Sequence, residues 1–289
     1  MKNILLALSF AAFFAACDGS SSVSPLSDTG SLSSAGVQNN SSNSSAKGDG
    51  NDVKTEMSSE SRSSSSLAED VARQCKAETE DNCEYGKVTD DRDGRTYKTV
   101  KIGTRVWMAE NLNYSSDSIK SECYGYQATN CEKYGRYYLW HTAINRPESE
   151  CGHGDTCSLP QGNIQGICMK GWHLPSKTEW ETLFETVGGK SIAGKVLKSQ
   201  SEWYDDKNGV DAFGFSGLPG GRLQDNSYFD NRNFMGEFWS STEYLGSFTS
   251  STEYKNGSAY VMILHYNGEN AAVTRELKYF GLNVRCVKD

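Results

Sequence analysis

A chain of 289 residues with a formal net charge of −8 is too acidic to be drawn to nucleic acid or to an anionic lipid surface by its own field. Its nine Cys point to an oxidising compartment, and its length leaves room for one substantial domain with a real core.

Met1-Lys2 supplies a short positive start, and residues 4–14 form a mainly apolar stretch. That stretch is too short to span a bilayer, which needs ~20 apolar residues, and it suits the core of a secretory signal. Phe14-Ala15-Ala16-Cys17 closes it. Small residues followed by Cys predict a lipoprotein signal peptide over 1–16, with Cys17 as the lipid-carrying first residue, although Phe14 stands where Leu is usual. The alternative is an ordinary signal peptide cut near Ala16. Two or more acyl chains hold a protein stably to a membrane. Asp18 is a mark of inner-membrane retention in enteric bacteria, whereas acidic, Ser-rich starts accompany surface export in other phyla. The expectation is a lipid anchor in the outer membrane, facing out.

From 17 to 68 the chain is mostly Ser, Gly, Asn and Asp, with a few aliphatic residues in no period. Such a composition buries too little apolar surface to offset the entropy of ordering, so a disordered tether is expected. A flexible coil of ~50 residues has an r.m.s. reach of roughly 40 Å. The folded domain is expected over 69–289.

With Cys17 set aside, eight Cys are left, which predicts four disulfides. Eight Cys allow about 105 pairings, but the spacing groups Cys75 with Cys83, Cys123 with Cys131, and Cys151 with Cys157. Cys168 and Cys286 then close a long loop. No C-x-x-C occurs, and His141, His153, His173 and His265 do not fall at ligand spacing with the Cys, so no metal or cofactor is expected.

Asp93-Gly94 marks a hairpin turn, followed by a strand over 97–102. The Asp-rich approach to it resembles part of a calcium loop but lacks the closing Glu. The segment 106–112 reads as strand, then loop. Ser176-Lys177-Thr178-Glu179 is a capping box, and Trp180, Leu183, Phe184 and Val187 share one helical face up to Gly188-Gly189. A shorter helix is expected over 192–197, a short strand over 238–242, a hairpin over 259–275 about Asn267-Gly268, and a last strand over 283–287. Few helices, short strands and long loops predict an α+β domain.

Five runs carry a resemblance: 100–114, with Val106-Trp107-Met108-Ala109-Glu110-Asn111-Leu112 at its heart; 134–140; 168–180; 238–242; and Val284-Arg285-Cys286-Val287. Together they resemble the Fibrobacter succinogenes major paralogous domain over nearly all of the chain after the tether. The resemblance implies secreted or lipid-anchored proteins without an established activity. More distantly, Leu174-Pro175-Ser176 with Glu179-Trp180-Glu181 is similar to the helix start of C-type-lectin-like and formylglycine-generating-enzyme folds. Those folds imply a small twisted antiparallel sheet with the two ends of the domain close together, which a Cys168–Cys286 bridge would suit.

The function expected is a surface binding or adhesion module for polysaccharide or another envelope component. Trp172, Trp203, Tyr204, Tyr228 and Trp239 could stack on sugar rings if exposed. Trp172 and Trp239 read as core. Trp203-Tyr204, beside Asp205, Asp206, Asn208 and Asp211, reads as the surface candidate, its acidic cluster being either a solvated loop or a calcium site. The sugar-binding tripeptides of calcium-dependent lectins are absent, and Trp239-Ser240-Ser241 stands where lectins carry Trp-Asn-Asp. The alternatives are a structural envelope protein without ligand and an enzyme. For an enzyme, no catalytic triad order or phosphate loop is present, Glu179 is committed to its cap, and His173 reads as a packed, hydrogen-bonded residue.

Overall fold

The computed structural model describes residues 71–225, 227–246 and 257–289. The signal peptide expected over 1–16, the lipidated Cys17 and the tether over 17–68 lie outside them. Among the described residues no helix is long and apolar enough to cross a membrane.

Strands β1 (Tyr85–Thr89) and β2 (Thr96–Ile102) form the expected hairpin. Its turn is held by acidic side chains acting locally. Asp90, fully buried, accepts from the backbone N–H and the guanidinium of Arg92, and Gly94 supplies a φ of 73°. The calcium-like spelling is therefore turn chemistry. After β3 (Arg105–Met108), β4 (Trp172–His173) and β10 (Val287–Lys288) complete a sheet of order β1-β2-β3-β10-β4. The last strand thus pairs between segments from early in the domain.

A second sheet runs β7 (Met235–Tyr244), β8 (Ser258–His265), β9 (Ala271–Leu277), all antiparallel. A small hairpin, β5 (Arg222–Gln224) with β6 (Tyr228–Asp230), stands apart. Alternation along the strands explains why the domain has two cores. Val100, Ile102, Trp107, Phe238, Met262 and Leu264 enter one, and Tyr97, Met108, Trp239, Ala259 and Val261 enter the other.

Helix α4 (Lys177–Thr186) starts with both halves of the capping box in place. Its Trp180 stacks on Trp107 at 5.0 Å between ring centres. Helix α5 (Lys190–Leu197) follows the glycine pair. Three short helices that the sequence does not announce precede them: α1 (Ala128–Tyr134), α2 (Trp140–Ala143) and α3 (Glu148–Cys151). None has a side-chain N-cap; two of them carry a cysteine of a short disulfide.

All four expected disulfides form: Cys75–Cys83, Cys123–Cys131, Cys151–Cys157 and Cys168–Cys286. The class is α+β, as expected. Two boundaries differ. Strand β7 runs ten residues rather than five, because Met235–Trp239 and Glu243–Tyr244 both pair with β8 on either side of a register break. The last ladder begins only at Val287, since Asn283 makes a single bridge to Phe238.

Candidate functional site

The structure does not bring the expected loop residues together as a site. Trp203 is 3% exposed and so offers no stacking face. The reason is Lys198, itself buried. Its ammonium donates to the carbonyls of Lys207 (3.1 Å), His265 (3.2 Å), Tyr266 (3.1 Å) and Gly268 (3.2 Å). This internal cation draws the loop after Ser199 onto the β8–β9 turn and lies 4.9 Å from the Trp203 ring centre. Tyr204 is half exposed, but it is stacked on Phe234 at 4.5 Å. Asp205 pairs with Lys207 at 3.5 Å, and Asp206 is exposed. Asp211 turns away to bind Lys76 and the Ser216 backbone. Among the described residues no three His, Cys, Asp or Glu side chains converge as a metal site. Trp172 and Trp239 are core, as expected, and Tyr228 is 64% exposed.

His173 is packed and hydrogen-bonded. Its ring is held between Glu179 Oε1 (2.9 Å) and Asp289 Oδ1 (2.6 Å). Burial alone would lower its pKa, but the two carboxylates outweigh burial and raise it. Glu179 is also buried, yet the bonds from His173 and from Ser176 at the helix cap pull it down to about 2. This doubly bonded imidazole fastens the residue after β10 to the start of α4.

The aromatic surface lies elsewhere. After Cys123 the chain makes a tight turn over Tyr124–Tyr126, with positive φ at Gly125 and Tyr126, and the Cys123–Cys131 bridge closes it. Phe229 of β6 packs 4.8 Å from Tyr124, 5.2 Å from Tyr126 and 5.5 Å from Tyr137. Arg232 lies 4.6 Å from the Tyr124 ring centre. Tyr126 is 56% exposed, and Tyr228 leaves the opposite face of the same short hairpin. Tyr137, wholly buried, joins this cluster to a cavity of about 390 Å³ whose wall also carries Lys120, Ser121, Glu122 and Glu148. An exposed ring such as Tyr126 can stack a flat, hydroxylated ligand, and the polar cavity wall on the far side of Tyr137 can hydrogen-bond hydroxyl groups.

The hairpin is latched from below by one guanidinium among three carboxylates. Arg222 reaches Asp230 (3.1 Å), Glu276 (3.4 Å) and Glu237 (3.8 Å), and its guanidinium lies over Phe280. Glu237 is fully buried, and neither of its oxygens has a hydrogen-bond partner. Burial pushes its carboxyl up to about 8, against the pull of Arg222. Burial raises Glu276 as well.

Of these residues, sequence reasoning marked only Tyr228. Tyr124 and Tyr126 carried a usable signal, two aromatics in a Gly-containing turn beside a short-range cysteine pair. Phe229 and Glu237 carried none, since their surroundings come from distant segments.

The model of the Fibrobacter succinogenes major domain matches residues 100–288, which hold the aromatic cluster, the Arg222 latch and most of both cores. The chain belongs to that family. No curated protein and no solved structure matches it. Four disulfides, three of them within the family match, fit a module stabilised for extracellular conditions.

Proposed function

We propose that this Fibrobacter succinogenes major domain protein is a lipid-anchored module of the outer-membrane surface that binds polysaccharide. The observation that carries the proposal is the exposed Tyr126 ring packed on Phe229 at a disulfide-closed turn, with a second exposed ring, Tyr228, on the other face of the β5–β6 hairpin. Sugar faces are apolar enough to stack on such rings, while their hydroxyls need the hydrogen-bonding groups of a recess. Each ring is worth about 1 kcal/mol, so a single module binds weakly. Many copies displayed on one surface would bind an insoluble polymer through avidity.

The test is retention on insoluble cellulose and hemicellulose together with a glycan array, with and without calcium. Tyr126→Ala and Tyr228→Ala are each expected to weaken binding about fivefold, with unchanged melting temperature and no effect of calcium. If no polysaccharide is retained, or both variants bind like the parent, a structural envelope role replaces this one.

The anchor rests on Phe14-Ala15-Ala16-Cys17. Cys17→Ala is expected to abolish acyl-chain labelling and to move the protein from the membrane fraction to the soluble one. Labelling that survives the substitution would remove the anchor from the proposal.

A further inference from the structure

A second cavity, of about 400 Å³, lies between β2, the segment following β3, and α1. Two of the family runs build it. Glu110 and Asn111 come from one, and Gly135 comes from the other. Gly135 has a φ of 71°, and a Cβ there would fall 2.6 Å from Cβ of Asn111, so the close approach needs glycine.

The last of the runs, Val284-Arg285-Cys286-Val287, supplies a charge beneath the floor. Arg285 is fully buried, and each of its acceptors is neutral. Nε and Nη2 donate to Oδ1 of Asn111 (3.1 and 2.8 Å), Nη1 to the Phe215 carbonyl, and Nη2 to the Ser216 carbonyl (3.3 Å). Asn111 and Ser216 line the cavity, so a buried cation without a carboxylate partner lies one hydrogen bond behind its wall.

On the rim, Arg95 is paired with Glu132 (2.8 Å) and Lys133 with Glu202 (2.7 Å). Lys98 lies over the Tyr85 ring, with no carboxylate in salt-bridge range among the described residues. Glu110 accepts the Lys98 backbone N–H at 2.6 Å. Asp211 also acts on Arg285 but is itself paired with Lys76 at 2.8 Å, so Lys98 on the rim and Arg285 behind the wall are two cations against one carboxylate without a salt-bridge partner among the described residues, Glu110. A single negative charge on the ligand balances them. A phosphate dianion would carry one charge too many and meet Glu110 and Glu132. The carboxylate and amide oxygens suit hydroxyl donors.

We propose that this cavity is a ligand site, separate from the aromatic face, for a sugar bearing one carboxylate: a uronic acid residue. It does not depend on the platform binding anything. The test is calorimetric titration of the full chain with galacturonate and glucuronate oligomers, glucose oligomers of equal length, and inorganic phosphate. Uronate oligomers are expected to bind and to weaken with salt, while glucose oligomers and phosphate neither bind there nor compete. Lys98→Gln, at an exposed position, is expected to weaken uronate binding about fivefold with unchanged melting temperature. Lys98→Arg should retain binding, and so should Tyr126→Ala. Absence of uronate binding, equal binding of neutral oligomers, competition by phosphate, or indifference to Lys98→Gln would each overturn the assignment.

Discussion

Replacing Glu237 with Gln is expected to raise the melting temperature at pH 8 and leave it unchanged at pH 4. The carboxyl titrates near 8 in the folded protein against an ordinary value of 4.5, because it is buried without a hydrogen-bond partner. Between those two values the unfolded chain has lost the proton and the folded chain holds it. Stability therefore falls as pH rises across that window, and the loss is complete above the folded value. At 1.36 kcal/mol per unit the cost reaches on the order of 5 kcal/mol by pH 8, a large share of the 5–15 kcal/mol typical of a domain. Gln carries no charge at any pH and mimics the protonated form. At about 2–4 °C per kcal/mol for a domain of this size, the variant gains roughly 10 °C or more at pH 8. Calorimetric scans from pH 4 to 9 on both proteins check this; parallel profiles would refute it. Glu276 contributes a residual slope of the same sign to both. Glu179 acts oppositely: its lowered pKa adds stability above about 4.5 that is lost as pH falls through about 2.

Removing the Cys168–Cys286 bridge is expected to cost about twice what removing Cys75–Cys83 costs. The chain-entropy estimate is about 5 kcal/mol for a closed loop of 118 residues' separation and about 2.6 kcal/mol for one of 8. Position adds to length. Both sulfurs of the long bridge are in the core, and Cys286 exchanges backbone and side-chain contacts with Met108 of β3 just before β10. The short bridge closes a half-exposed turn. Urea midpoints of the two double Cys→Ala variants read the difference. Equal losses would show that the long bridge constrains a chain already ordered without it.

Elements whose causes lie within a few residues were legible. Helix α4 announces its cap and its buried face within twelve positions, and the β1–β2 turn spells itself in Asp and Gly. The cysteine pairs followed from spacing. Helices α1 to α3 were not legible, because they lack capping side chains and are held from outside. Trp140 shows how: its backbone donates to Lys278 and its indole to Ser240, both at least a hundred residues away. Trp203 was misjudged for a related reason. Next to acidic residues it looks solvated, yet a lysine five positions earlier buries itself in carbonyls of its own loop and of the β8–β9 turn.

Family, fold class and the pairing of sulfurs were determined by the amino-acid sequence itself, since each depends on local pattern or on spacing along the chain. Which aromatic rings face solvent, which acid keeps its proton and where two cations lack a partner were decided by tertiary structure alone. Burial of a polar group depends on which distant carbonyls and charges reach it, and no stretch of neighbouring residues encodes that.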